Sequence, residues 1–227
     1  MTDVSRNGTI ADRIRQIRQT LPPQVRLIAV SKQVSIAAMR EAYEAGVRDF
    51  GESRVQEAEA KQAQLTDWSD VTWHLIGHLQ ANKAAKAMRM FQWIHSVDNL
   101  KLAQRLDQLA ATLETAPQIC LQVKILPDPN KFGWTIAELL ADLPALNQCQ
   151  HLNIRGLMTI PPLGLGDAEV KSVFQQTREL AETISQQKLP RLDIQELSIG
   201  MSEDYVLAVQ SGATMIRLGR ILFGDRT

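Results

Sequence analysis

No run of apolar residues in this chain approaches the ~18 that a membrane-spanning helix needs, and the opening MTDVSRNGTIADRIRQIRQTLPP has no apolar stretch of the kind a secretory leader requires. The expectation is a soluble protein of the cytoplasm, without a membrane partner. Cysteine is scarce. Cys120 and Cys149 show no CxxC or zinc-ligand spacing, which argues against a disulfide framework and fits core thiols in a reducing compartment. Net charge is missing as well: 25 Lys and Arg balance 25 Asp and Glu, so no global field gathers nucleic acid or an anionic membrane. Low-complexity tracts and linker-like segments are absent, so residues 1–227 are expected to form one domain, long enough to bury a sizeable core.

What the chain does have is alternation. Ile10, Ile14, Ile17 and Leu21 recur at helical spacing behind a candidate N-cap at Thr9, and Pro22-Pro23 ends that helix. Apolar, β-branched-rich runs then predict strands at 27–30, 47–50, 72–76, 93–95, 119–125, 154–159, 194–198 and 214–218. Helical patterns lie between them. In SIAAMREAYEAG, Ser35 caps and Gly46 stops the helix; in GDAEVKSVFQQTRELAETISQQKLP, Val170, Val173, Phe174 and Leu180 mark one face. Eight strand–helix units predict an α/β protein, a (β/α)8 TIM barrel with an extra N-terminal helix. The short tail RILFGDRT leaves little room for a last helix, so the leading one is expected to cover that side. An open doubly wound sheet shares the same alternation, since alternation does not report closure.

In a parallel barrel, chemistry collects where the strands finish. Lys32 follows VRLIAV, and two readings stand: a solvated loop lysine, or an amine desolvated at the barrel mouth, neutral enough to form Schiff bases. After the last two strands come LSIGMSED and RLGR. Gly200 permits a close turn, Ser202 offers a hydroxyl at a helix-capping position, and Gly219 repeats the arrangement, which resembles an anion cradle; Glu203 and Asp204 must then point outward. Arg217, inside the final strand, needs either the surface or a partner for its permanent charge. His74 and His78 share no helical face, and no glutamate accompanies them as in a metalloprotease, so no metal is expected. Lys83, Lys86 and Arg89 read as a solvated helix face, and Trp73, Trp93 and Trp134 as packing residues.

Seven of these segments, LIAVSK, FGESRVQE, WHLIGHLQANK, HSVDN, GLMTIPP, LSIGMSEDY and IRLGRILFG, resemble in order and spacing the pyridoxal phosphate homeostasis proteins, also called the YggS or proline synthetase co-transcribed family. The resemblance spans almost the whole chain. It implies a barrel like the N-terminal domain of alanine racemase, with pyridoxal 5′-phosphate held as a Schiff base on the lysine matching Lys32. By the same matching, Ser202 and the backbone of Gly219 and Arg220, beside the Gly200 turn of the cradle, would hold the phosphate, Arg217 would face the pyridine nitrogen, and Ser53 and Met158 would lie near the ring. The family often carries Asn where Ser53 and Lys124 stand, and a small hydroxyl residue where Arg220 stands. The implied function is carriage or buffering of the cofactor by a monomer, with apo forms of pyridoxal phosphate enzymes as partners and no robust catalysis. An arginine opposite the ring nitrogen weakens the electron sink that carbanion chemistry uses. Two other readings share Lys32: an amino-acid racemase with Tyr205 or water as the second base, and a cofactor-free Schiff-base aldolase, which leaves Arg217 unexplained. Racemases of the related fold take their tyrosine from an extra β-rich domain that these residues do not supply.

Overall fold

In the computed structural model, which describes residues 8–224, helix α1 (Ile10–Thr20) starts as its first residues dictate. Thr9 Oγ1 accepts from the Asp12 amide and Asp12 Oδ2 accepts from the Thr9 amide, both at 3.2 Å, so two helix-end donors are satisfied reciprocally. Ile10, Ile14 and Ile17 form its buried stripe, and the helix stops at Leu21, ahead of the prolines.

The strands follow at β1 (Arg26–Val30), β2 (Asp49–Glu52), β3 (Thr72–Leu75), β4 (Trp93–Val97), β5 (Gln118–Lys124), β6 (Trp134–Thr135), β7 (Asn153–Met158), β8 (Leu192–Ser198) and β9 (Met215–Leu218). Between and after them run α2 (Ile36–Glu44), α3 (Val55–Gln62), α4 (Ala84–Met90), α5 (Leu100–Ala110), α6 (Ile136–Leu146), α7 (Asp167–Gln186), α8 (Tyr205–Gln210) and α9 (Arg220–Phe223). All pairings are parallel, in the order β4-β3-β2-β1-β9-β8-β7-β5, and Ile94 against Ile119 joins β4 to β5. The sheet therefore closes as a (β/α)8 barrel, and the open-sheet alternative falls. The two-residue β6 adds to β5 outside the ring and was not foreseen from the sequence. α9 is a single turn, and α1 packs beside α2 and α9, covering the side that α9 leaves bare.

One strand differs in a way that matters for the site. The apolar start of VRDF predicts β2 from Val47, yet Val47 is a buried anchor in the preceding loop and the ladder runs on to Gly51 and Glu52, with Val30 opposite Gly51. Glu52 thereby enters the barrel wall as a fully buried carboxyl. Strand alternation sends Ile28, Trp93, Cys120, Met158 and Met215 into one interior cluster, separate from the layer between sheet and helices. Both cysteines are buried free thiols.

Candidate functional site

β1 ends in a tight turn that presents Lys32. The Val34 amide donates to Ser31 O at 2.9 Å, closing the turn, and Gln33 sits at φ +60°, a backbone region that a non-glycine residue adopts only where neighbours hold it. The neighbours do: Glu57 Oε1 accepts from the Gln33 amide at 2.5 Å. Beneath the turn, buried Lys61 Nζ donates to Ser31 O (2.5 Å), Glu52 Oε1 (2.8 Å) and Glu57 Oε1 (2.7 Å), while Ser31 Oγ donates to Glu52 Oε1 at 2.6 Å. Burial pushes the Glu52 carboxyl above its ordinary pKa, against the opposing pull of Lys61 and Ser31. Lys32 itself is half-buried and looks onto the cavity.

The loops after β8 and β9 meet on the other side. Ser202 Oγ accepts from the amides of Gly219 (3.2 Å) and Ile221 (3.4 Å), so two backbone donors converge on one oxygen whose own hydrogen remains to donate. Ser202 does not cap α8, contrary to the sequence reading: α8 begins three residues later, at Tyr205, and it is Asp204 Oδ1 that accepts from the Met201 amide at 2.5 Å. Burial raises the Asp204 pKa. Glu203 does turn outward, to Arg220 Nη2 at 2.7 Å, in an exposed pair. Gly200, at φ +91°, serves the fold: a Cβ there would stand 2.5 Å from Ala208 Cβ, so its turn lets the loop lie against α8.

Arg217 is 3 % exposed and points inside the barrel. Its Nη1 donates to Ser198 O (2.5 Å) and Ser198 Oγ (2.8 Å), and its Nη2 to Thr159 O (3.0 Å). Burial pushes its pKa down to about 10, with the nearby Asp204 carboxylate pulling the other way. It remains a cation at neutral pH.

These elements enclose a cavity of about 230 Å³ at the barrel mouth. Lys32, Ser53, Ser202, Arg217, Gly219 and Arg220 line it, six of the residues picked from the sequence. Met158 and Gly200 do not. Met158 is fully buried among Ile28, Trp93, Cys120 and Met215, and the sulfur-bearing side chain at the cavity is Met201. Val30, Ile76, Ile160 and Glu203 complete the lining. Ile76 and Ile160 could have been marked from their positions just past β3 and β7; Met201 carries no sequence signal. Tyr205 is 7 % exposed in the helix-layer core and is not among the lining residues, and Tyr43 stacks on Trp68 at 4.5 Å with its hydroxyl on Asp70. Among the described residues no cluster suited to a metal ion occurs, and no helix is long and apolar enough to cross a membrane. The cavity thus sets three cationic side chains against the single carboxylate of Glu203, with an amide-and-hydroxyl cradle at one end and an amine at another. That set suits a small anionic ligand bearing a carbonyl.

The family description "Alanine racemase, N-terminal domain" matches residues 6–227. The chain is 53 % identical over 211 residues to a pyridoxal phosphate homeostasis protein of Synechocystis sp., covering 93 % of this chain and 96 % of that one. A protein of the same name in Pseudomonas aeruginosa is 40 % identical, covering 100 % and 97 %. PipY of Synechococcus elongatus, solved with PLP bound, superposes with a TM-score of 0.91 at 57 % identity, covering 95 % of this chain and 100 % of that one. An alanine racemase of Clostridium difficile shares the fold at TM-score 0.75 and 13 % identity, this chain spanning 59 % of its length.

Proposed function

The chain belongs to the alanine racemase N-terminal domain family, and from that premise we propose that it binds pyridoxal 5′-phosphate at the barrel mouth and carries or buffers that cofactor for apo-enzymes, without robust catalysis of its own. The observation that carries the reading is the donor set of one cavity: an amine from Lys32, a hydroxyl with converging amides at Ser202, and the buried guanidinium of Arg217. An aromatic aldehyde bearing a phosphate needs these three groups. The relatives named for pyridoxal phosphate homeostasis, and PipY with PLP bound, support it.

When bound, the cofactor supplies an aldehyde that condenses with an amine and a ring that accepts electron density. Lys32 Nζ is the amine, held at the mouth by the Ser31–Val34 turn. Ser202 would hold the phosphate through its hydroxyl hydrogen, its oxygen already oriented by the amides of Gly219 and Ile221. Arg217 would hold the ring nitrogen with a donor left over from its bonds to Ser198 and Thr159, and as a fixed cation it would disfavour a proton there. Arg220 contributes its backbone, since its guanidinium pairs with Glu203. Ser53, which lines the cavity, would border the ring. Tyr205, the second base of the racemase reading, packs into the core instead of lining the cavity opposite Lys32. Losing a positioned acid or base typically costs about 10²–10⁴-fold, which disfavours α-proton abstraction.

Borohydride reduction of the loaded protein followed by digestion should place the pyridoxyl adduct on the peptide containing Lys32; an adduct confined to Lys124 or Lys131 would refute the assignment. Loaded protein with L-alanine in deuterated water should show negligible α-deuteration and yet reactivate an added apo-enzyme. Rapid exchange without reactivation would make the chain a racemase instead.

A further inference from the structure

The barrel interior holds a polar chain that the cavity residues do not account for. Asp49, the first residue of β2, lies at the amino-terminal rim with Arg26 Nε 3.7 Å away. Asp49 Oδ1 meets His74 Nε2 at 2.9 Å, His74 Nδ1 meets His95 Nε2 at 2.9 Å, His95 Nδ1 meets Ser198 Oγ at 2.8 Å, and Ser198 Oγ meets Arg217 Nη1 at 2.8 Å. Both imidazoles are fully buried, and Trp93 lies against each, at 6.1 Å from His74 and 5.7 Å from His95 between ring centroids. We propose that Asp49, His74 and His95 are positioning residues for Arg217, acting through Ser198 along one directional chain of hydrogen bonds that crosses the barrel from rim to cavity.

The direction follows from what each group can do. A carboxylate only accepts, so His74 must carry its hydrogen on Nε2. Its Nδ1 then accepts, which puts the hydrogen of His95 on Nε2. His95 Nδ1 in turn accepts from the Ser198 hydroxyl, whose oxygen is thereby turned to accept from Arg217. Burial lowers the pKa of both rings, most strongly for His95, where the neighbouring His74, Arg217 and Arg26 add to it, so each ring is neutral with a single hydrogen to place. The anion at the far rim thus decides where the Arg217 guanidinium is anchored, leaving its remaining donors for the cavity. The role rests on the functional reading above, in which Arg217 meets the ring of the bound cofactor.

The test has two parts. In the 15N-labelled protein without cofactor, two-bond proton–nitrogen correlations should show both histidines as Nε2–H tautomers from about pH 6 to 8; an Nδ1–H tautomer on either ring overturns the chain. In loaded protein, His95→Gln offers an amide donor toward His74 and an oxygen toward Ser198, and should retain pyridoxal 5′-phosphate nearly as well as wild type, whereas His95→Leu should lose about tenfold in retention. Equal retention by both variants, with only melting temperature changed, assigns His95 to packing and overturns the proposal. If the wild type retains no cofactor, the functional reading fails by itself, and Arg217 then decides the chain: its guanidinium hydrogens should exchange about tenfold faster in His95→Leu than in wild type or His95→Gln, and unchanged exchange sinks it.

Discussion

Ser202 brings two amides onto one oxygen, and that convergence makes a serine more than a turn residue. A phosphate bound there would meet a hydroxyl already oriented by Gly219 and Ile221, so the hydrogen bond would be charge-assisted and preorganised. Removing it with Ser202→Ala should cost about 1.5–3 kcal/mol and weaken retention of pyridoxal 5′-phosphate roughly ten- to a hundredfold, measured by equilibrium dialysis. Pyridoxal without its phosphate should feel the change far less; equal losses for the two ligands would argue against the cradle. Arg220 next door illustrates the opposite case, a charged side chain at the site whose guanidinium is spent on Glu203.

At the scale of elements, the Lys32 turn is fastened by the ends of three of them: Ser31 just past β1, Glu52 on β2, and Lys61 with Glu57 on α3. Lys61 is the only cation among the groups joined there, so Lys61→Met leaves two carboxyls beneath the turn and should destabilise the fold by about 3–5 kcal/mol in urea titrations. The loss should be pH-dependent. Burial already raises the Glu52 pKa, and without Lys61 it rises further. A carboxyl whose pKa is raised in the folded state contributes stability that is lost as pH rises through the folded value, so the variant's deficit relative to wild type should be larger at pH 8 than near pH 5.5. A destabilisation equal at both values would show that Glu52 keeps its charge by another route. The loop after β8 depends on a single backbone choice in the same way, since only a residue without Cβ clears Ala208 at position 200.

For the molecule as a whole, the two interior histidines couple stability to pH. Both have pKa values lowered in the folded state from an ordinary 6.5, chiefly by burial. Below that value the unfolded chain binds protons that the folded histidines refuse, so their contribution makes stability fall as pH drops from 7.5 toward 5.5. The slope reaches at most ~1.4 kcal/mol per pH unit for each histidine. Urea midpoints should therefore fall with acidification in the wild type and fall less in His95→Gln, which removes one of the two groups. A variant as pH-sensitive as the wild type would mean that other groups titrate in that window.

How much of this was written in the sequence depends on range. The N-cap at Thr9, the apolar stripe of α1, the strand–helix alternation and the residues just past β1, β8 and β9 are all set by contacts a few residues apart, and each was legible before folding. Six of the eight site residues, named from these positions and from the family resemblance, line one cavity. The two that do not, Met158 and Gly200, show where local reading ends: whether a side chain near a strand's end faces the mouth or the layer beneath depends on strand tilt and register around the closed barrel. The same holds for Glu52, placed in the wall because β2 pairs two residues farther along than its apolar start suggests. The sequence set His74 beside His78, whereas its partner His95 is 21 residues away and Ser198 lies 103 residues beyond that. Only closure of β4 onto β5 and the return of β8 and β9 beside β1 bring these groups within 3 Å of one another. Hydrogen bonds act over that distance and no farther, so the residues capable of the chemistry were determined by sequence, and their connection by the tertiary structure.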